Sequence, residues 1–247
     1  MRMLLINPNT SASITNLLVE NARHIAAPST IVAGTTAQFG ARYIASRAAA
    51  AIAEHAAIDC YARDGTTADV VVLACFGDPG LSALREVAHQ PVIGMAEASC
   101  LMAAQSGQRF SIVTGGTRWR PMLEEFVNSI GLSKQLASVE TVALSGADIA
   151  RDPETATQHL LGACTTCLTD HGADVIILGG AGLAGLAGRL QPRIRVPLID
   201  GLFAAVKAGE AQSARPPSGA KAGPLQSNLP SETFGLSPAL TALFNKL

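Results

Sequence analysis

Cys75 follows a predicted strand, a position at which a reactive thiol can lie beside a bound ligand. Residues 71–81, VVLACFGDPGL, are an unbroken apolar run that reaches Cys75 and then opens into a Gly/Asp/Pro turn. This pattern predicts a buried strand that delivers the thiol to a loop. At the N-terminus of the next helix, among backbone donors, a thiol has a lowered pKa and can exchange protons with a carbon acid. The competing interpretation is an inert cysteine that fills space in the core.

The same pattern occurs a second time. ADVVVLACFGDPGL (68–81) reappears as ADVIILGGAGLAGL (173–186) with half of the positions identical, and Cys75 falls opposite Gly180. PVIGMAEA and PLIDGLFA also correspond, and QRFSIVTGGTRWRPML resembles the opening strand, turn and helix. Three matches at nearly one offset indicate a duplicated α/β unit.

Strands and helices alternate in both copies. Strands are predicted at MRMLLIN, STIVAGTT, the run before Cys75 and PVIGM, with helices after the first strand, over residues 41–65 and from about Pro79 to Val87. Such alternation predicts an α/β fold in which each half is a small parallel sheet flanked by helices. We place the halves at residues 1–100 and 101–207. Residues 208–247 are predicted to form a flexible Pro/Gly/Ser-rich segment, up to about residue 233, and a short C-terminal helix.

The amino-acid composition indicates which classes of binding partner to expect. Of 247 residues, 48% are hydrophobic and only 15% are charged, with a net charge of -1, so no basic stripe indicates nucleic acid. No apolar run reaches the roughly 18 residues of a membrane span. Five cysteines form an odd set without a secretory signal, which favours reduced thiols in a cytoplasm. We therefore expect a cytoplasmic protein that binds a small molecule, and apolar helix faces favour a homo-oligomer.

Other motifs are weaker. Cys164 and Cys167 form a CxxC inside a predicted helix, without a second pair at zinc spacing, and are interpreted as core residues. The five histidines lie on or beside predicted helices and none resembles a triad member. Glycines 180, 182 and 185 have a dinucleotide-like spacing but are better explained by close backbone packing. The sequence thus predicts neither a metal site nor a nucleotide cofactor.

The candidate site lies where the predicted strands end. Ligands of parallel sheets bind outside the carboxyl ends of strands, and a pseudo-twofold axis between the halves would make Cys75 face Gly180 across a cleft. Backbone N–H groups after these two residues could meet a developing oxyanion, while Asn7 and Thr114 could bind an amide or carboxylate edge. The loop around Gln38 and Phe39 would control access. The further substrate-binding candidates are Phe76, Gly77, Ala181 and Gly182.

INPNTS, ACFGDPGL and ILGGAGLAGL together resemble the hydantoin and allantoin racemases of the Asp/Glu racemase superfamily, over the chain up to about residue 207. The resemblance implies a cofactor-independent isomerase with two pseudo-symmetric Rossmann-like halves. It also implies two cysteines that flank the substrate stereocentre: one thiolate removes a proton, and the opposite thiol returns one to the other face.

The match is incomplete at the second cysteine. The first catalytic cysteine of the family corresponds to Cys75, whereas the second falls on Gly180, which has no proton to exchange. We interpret the chain as a racemase-family enzyme that transfers a proton at a carbon next to a carbonyl, with Cys75 as acid and base. One alternative is a one-cysteine decarboxylase, or another lyase or isomerase of the superfamily; arylmalonate decarboxylase resembles such a design with the thiol in its second half. Another is a binding protein without turnover.

Overall fold

The computed structural model describes residues 1–144, 146–214 and 233–245. The described residues form two parallel four-stranded sheets. The first contains β1 (Arg2–Asn7), β2 (Ile31–Thr36), β3 (Val70–Leu73) and β4 (Val92–Gly94) in the order β2-β1-β3-β4. The second contains β5 (Phe110–Gly115), β6 (Leu136–Val142), β7 (Val175–Leu178) and β8 (Leu198–Asp200) in the order β6-β5-β7-β8. The repeated order confirms the predicted α/β fold with two pseudo-symmetric halves.

Helices flank both sheets. The first half contains α1 (Ala12–Ile25), α2 (Arg47–Cys60), α3 (Leu81–Val87) and α4 (Met95–Ser106), with a π-helical turn at Tyr61–Gly65. The second contains α5 (Trp119–Ser129), α6 (Gly146–Arg151), α7 (Pro153–Thr169), α8 (Ala187–Leu190) and α9 (Gly201–Ser213), and α10 (Pro238–Phe244) follows. No helix among the described residues has the length and apolar character needed to cross a membrane.

Three boundaries differ from the sequence-based predictions. The helix predicted from residue 41 begins only at Arg47, because the Ser46 hydroxyl accepts the Ala49 N–H at 3.2 Å and caps the helix there. The boundary predicted between residues 100 and 101 falls inside α4. The segment predicted to be flexible from residue 208 begins as the last turns of α9, where Gly209 packs beside Met3. Residues 215–232 of that segment lie outside the described residues.

Helices α4 and α9 join the halves. They pack against each other, while α4 also contacts β7 and β8 of the second half and α9 contacts β3 and β4 of the first. Their buried residues, among them Met95 and Leu202, belong to one apolar cluster that includes strand residues of both sheets, such as Val72 and Ile177. The two halves therefore share a core, and their strand ends are fixed relative to one another.

The two cysteines of the CxxC lie in the core of the second half. All five thiols are free and buried. Cys164 and Cys167 lie in α7 and pack in the apolar cluster of the second half, where the Cys167 thiol is 3.8 Å from the Ser138 hydroxyl. Burial raises the pKa of both thiols, which keeps them protonated and unreactive.

One buried aspartate in each half ties the turn after the third strand to the helix after the fourth. Asp78 accepts the N–H groups of Ala96 and Glu97 at 2.9 and 2.8 Å, at the N-terminus of α4. Asp200 accepts the Leu202 N–H at 2.9 Å in α9 and the Gly185 N–H at 2.7 Å in the turn after β7. Carboxyl oxygens suit such positions because they accept from helix N–H groups that have no partner within the helix.

The Asp78 contact requires close backbone approach. Asp78 has a φ of 49°, which Asp tolerates better than most residues. A Cβ on Gly94 would lie 2.3 Å from its carboxylate, so only glycine fits there. Burial, opposed by the two amide donors, raises the pKa of Asp78 to about 7.

The raised pKa of Asp78 predicts that the stability of the protein depends on pH. The carboxyl of Asp78 stays neutral in the folded protein up to about pH 7 but ionises near pH 3.8 when exposed on unfolding. Its contribution to stability is therefore present below pH 3.8 and is lost as pH rises through 7. Relative to Asp78→Asn, which has no titrating group at this position, the parent should lose about 2–3 kcal/mol of unfolding free energy between about pH 5 and pH 8, measured in urea.

Asp69→Asn is the matched control. Its carboxylate is exposed, and the N–H of Arg2 lowers its pKa, so Asp69 is ionised in both states throughout this interval. The difference between parent and Asp69→Asn should stay constant from about pH 5 to pH 8. A constant difference for Asp78→Asn as well would contradict the raised pKa.

Candidate functional site

A cavity lies where the turns after β3 and β7 meet. Its volume is about 590 Å³, including the part open to solvent. Both Cys75 and Gly180 line it. The other lining residues are Asn9, Ile14, Arg42, Tyr43, Ile44, Phe76, Thr114, Gly115, Trp119, Ile149, Ala181, Gly182 and Leu183. Of the sequence-predicted site residues, the cavity thus brings together Cys75, Phe76, Thr114, Gly180, Ala181 and Gly182.

The ring of Phe76 holds the two turns against each other. A Cβ added to Gly179 would lie 2.5 Å from the ring, and one added to Gly201 would lie 3.5 Å from it. The aromatic ring therefore rests directly on the backbone of the second half. This contact sets the spacing between the turn that carries the thiol and the turn that carries Gly180.

There is room for a side chain at position 180, but the backbone of Gly180 has a conformation that favours glycine. Its φ is 144° and its ψ is 139°, which side-chain-bearing residues rarely adopt. A Cβ at this position would meet the Thr114 hydroxyl at 3.6 Å and Leu183 at 3.5 Å, both ordinary contacts. A larger residue at position 180 is therefore opposed by backbone strain and not by a steric clash.

The environment of Cys75 differs from the prediction. The thiol was expected at a helix N-terminus with a lowered pKa, but α3 begins only at Leu81. Burial, together with the nearby Asp78 carboxylate, raises the pKa of the Cys75 thiol to about 12. At neutral pH the side chain is therefore a neutral thiol, which is a proton donor. Only loss of that proton would make it a base.

Hydrogen-bond donors are available beside the thiol and beside Gly180. Within the described residues, the amides of Phe76, Gly77, Ala181 and Gly182 and the hydroxyl of Thr114 donate to no protein acceptor. Backbone donors of this kind can stabilise negative charge on a substrate oxygen without reorganising.

Asn7 supports the cavity from behind and does not line it. Its side chain is fully buried. Its Nδ2 donates to Asn9 Oδ1 at 3.0 Å and to Thr15 Oγ1 at 2.9 Å, and its Oδ1 accepts the Asn9 N–H at 3.3 Å. These bonds shape the loop that presents Asn9 to the cavity. The prediction therefore named the last residue of β1, whereas Asn9, two residues further on, reaches the site.

Two further candidates lie beside the cavity. Phe39 is 36% exposed and packs edge to face on His55, with ring centroids 4.8 Å apart, so it is not part of the lining. Gly77 has a φ of 101°, and a Cβ there would lie 2.8 Å from the Trp119 ring. Gly77 thus allows Trp119, a lining residue, to approach the turn.

Sequence reasoning missed the loop that closes one side of the site. Residues 41–46 read as part of an Ala-rich helix, but Arg42, Tyr43 and Ile44 leave it and line the cavity. Tyr43 donates to the carbonyl of Gly115 at 2.9 Å and so bridges the two halves. The only sequence signal was the change from ARYIAS to an unbroken alanine run.

The remaining motifs bring no further chemistry to the cavity. The glycine run after β7 leads into a 3₁₀ turn at Ala181–Leu183 and the four-residue α8, and offers no long helix for a dinucleotide phosphate. Histidine is absent from the lining. Among the residues that the structure describes, no three His, Cys, Asp or Glu side chains cluster as metal ligands would.

The chain is similar in sequence and in structure to known proteins. A family described as Asp/Glu/Hydantoin racemase matches residues 3–209. A hydantoin racemase of Pseudomonas sp. (strain NS671) is 34% identical over 211 residues, which are 85% of this chain and 85% of that protein. The crystal structure of an allantoin racemase from Pseudomonas fluorescens matches with a TM-score of 0.83 at 33% identity, over 85% of this chain and 90% of that one.

A more distant match shows the fold alone. A doubly substituted arylmalonate decarboxylase has a TM-score of 0.65 at 16% identity, over 87% of this chain and 95% of that one. The family match and the relative at 34% identity each cover most of the chain. The chain belongs to the Asp/Glu/hydantoin racemase family and is an enzyme of the isomerase class.

Proposed function

We propose that this enzyme transfers a proton, without a cofactor, at a carbon next to a carbonyl of a hydantoin-like substrate, and that Cys75 is its acid and base. One observation carries the proposal: Cys75 and Gly180 line the same cavity, and no other thiol of the described residues does. Hydantoin and allantoin racemase relatives support this substrate class. Cys75 therefore exchanges a proton on one face of the substrate.

The proton transfer can be written in full. The Cys75 thiolate takes the proton from the α-carbon, the electrons of the C–H bond form a C=C bond, and the carbonyl oxygen becomes an enolate oxygen. Amides of the two turns stabilise that oxygen. In the reverse direction the thiol returns a proton to the same face. Because the resting thiol has a pKa raised to about 12, the thiolate fraction limits this step and rises with pH.

A second candidate is a decarboxylation followed by protonation. The neutral resting state of Cys75 favours it, since this reaction needs a donor and not a base. The substrate carboxylate leaves as CO₂, its electron pair remains as an enolate, and the thiol protonates the carbon. Water then restores the proton on sulfur. A glycine at position 180 is compatible with this chemistry because only one face receives a proton.

The first test is removal of the thiol. Cys75→Ala should lower α-proton exchange of a 5-substituted hydantoin in D₂O by about 10²–10⁴-fold, the usual contribution of a positioned acid or base. Exchange is measured by loss of the α-proton signal in NMR. Circular dichroism should show a folded protein, because the side chain lies at a cavity and its removal leaves the core strands intact.

Cys164→Ala provides the matched control. This thiol is also buried, but it lies in α7 and packs in the core away from the cavity. The variant should therefore lose about 0.5–3 kcal/mol of stability and keep its exchange rate. Equal exchange in Cys75→Ala and the parent would overturn the role of Cys75. Lost exchange in a folded Cys164→Ala protein would show that the CxxC has a function.

The second test restores a thiol on the opposite turn. Gly180→Cys should raise racemisation of a single hydantoin enantiomer by about 10²-fold or more, because a donor then exists on each face. The backbone strain at a φ of 144° should cost about 1–3 kcal/mol of stability. Racemisation is followed by the decay of the circular dichroism signal of the substrate.

Gly180→Ser is the control for strain. It introduces a similar volume and the same backbone penalty but no group that exchanges protons with carbon, so racemisation should stay at the parent level. Equal racemisation rates in the parent and Gly180→Cys, with both proteins folded, would mean that another group supplies the second proton. The assignment of Gly180 to the missing position would then be wrong.

A further inference from the structure

Among the described residues that line the cavity, one is charged. This residue is Arg42, and no Asp, Glu, Lys or second Arg of the described part of the chain lines the cavity. Among the residues that the structure describes, Arg42 forms no ion pair and no side-chain hydrogen bond with protein. Its guanidinium thus has five N–H donors with no protein acceptor beside a largely apolar pocket.

The backbone around Arg42 is fixed from both halves. The carbonyl of Ala41 accepts the Thr10 N–H at 3.1 Å, which ties the loop to the segment after β1. Tyr43 donates to the Gly115 carbonyl at 2.9 Å, at the end of β5, and Ile44 is 3% exposed. The backbone of Arg42 is therefore held beside the cavity, while its side chain is exposed and extends from that fixed point.

An arginine whose backbone is held beside a pocket favours an anionic ligand group when the described lining offers no acidic residue. Arginine binds carboxylates through two parallel N–H···O bonds, and such pairs are shorter and stronger than neutral hydrogen bonds. A plain hydantoin ring with an alkyl substituent offers no carboxylate to it. A substrate that carries a second, anionic group would use both Cys75 and Arg42.

We propose that Arg42 selects substrates that bear a carboxylate on the substituent of the reacting carbon, for example carboxyalkyl hydantoins. This inference rests on the proposed function, because it assumes that the reacting carbon lies at Cys75. The reacting carbon lies beside the thiol, and the carboxylate reaches toward the loop of residues 41–44.

The fluorescence of one tryptophan beside the cavity can be used to measure ligand binding. Trp119 is the single tryptophan of the chain and lines the cavity. Racemic 5-(2-carboxyethyl)hydantoin and racemic 5-(2-carbamoylethyl)hydantoin are the two probes, because they have nearly the same shape and differ in charge. Titration of tryptophan fluorescence gives a Kd for each, and neither value depends on turnover.

The parent should bind the carboxylate probe about tenfold more tightly than the carboxamide probe, the effect of one charge-assisted pair that is partly exposed to solvent. This ratio should fall toward one in Arg42→Gln and take an intermediate value in Arg42→Lys, which keeps the charge without the planar fork. Raising NaCl from about 20 mM to about 300 mM should weaken only the carboxylate probe.

Arg47→Gln is the matched control, since Arg47 lies five residues further on, pairs with Glu125 and does not line the cavity. It should keep the parent ratio. Equal Kd values in the parent, an unchanged ratio in Arg42→Gln, or no fluorescence response to either probe would overturn the inference.

Proton exchange measured on the same samples separates this inference from the proposed function. Exchange without a preference for the carboxylate overturns only the role of Arg42. A preference that Arg42→Gln abolishes, without any exchange, supports the carboxylate site and overturns the proposed proton transfer.

Discussion

The contact between the Phe76 ring and the bare backbone of Gly179 is the constraint on which the site depends. A Cβ at Gly179 would lie 2.5 Å from the ring, so any other residue would push the two turns apart. With glycine there, the turn that carries Cys75 and the turn that carries Gly180 enclose one cavity. The same closeness leaves Cys75 only 8% exposed, and this burial raises the pKa of its thiol. The contact between Phe76 and Gly179 therefore influences both the shape of the cavity and the pKa of Cys75.

The duplication explains the symmetry of the backbone, and later differences between the two turns explain the asymmetry of the site. Each half uses a buried aspartate, Asp78 or Asp200, to hold the turn after its third strand to the helix after its fourth. The turns nevertheless differ in more than one side chain. Gly180 has a φ that only glycine adopts readily, whereas Cys75 does not. The second turn has a backbone suited to glycine, and this favours one-sided proton transfer.

The sequence predicted the fold well because strand and helix periods are local properties. It also predicted that Cys75, Thr114 and Gly180 would lie together, since each stands at or just beyond the end of a predicted strand, and all three line the cavity. It missed Arg42 because an alanine-rich run masked the Ser46 cap, and it chose Asn7 over Asn9 because only the folded loop shows which amide is already bonded. The direction of the Cys75 pKa was wrong for a related reason: it depends on burial by the other half, which no local pattern records.

The most direct measurement of the central claim compares the two enantiomers of one 5-substituted hydantoin separately in D₂O with the parent enzyme, followed by NMR and circular dichroism. With a single thiol on one face, one enantiomer should exchange its α-proton with retention of configuration, while its mirror image should exchange at least about 10²-fold more slowly, the contribution of one positioned acid or base. Equal exchange rates for both enantiomers, accompanied by racemisation, would contradict the one-thiol account.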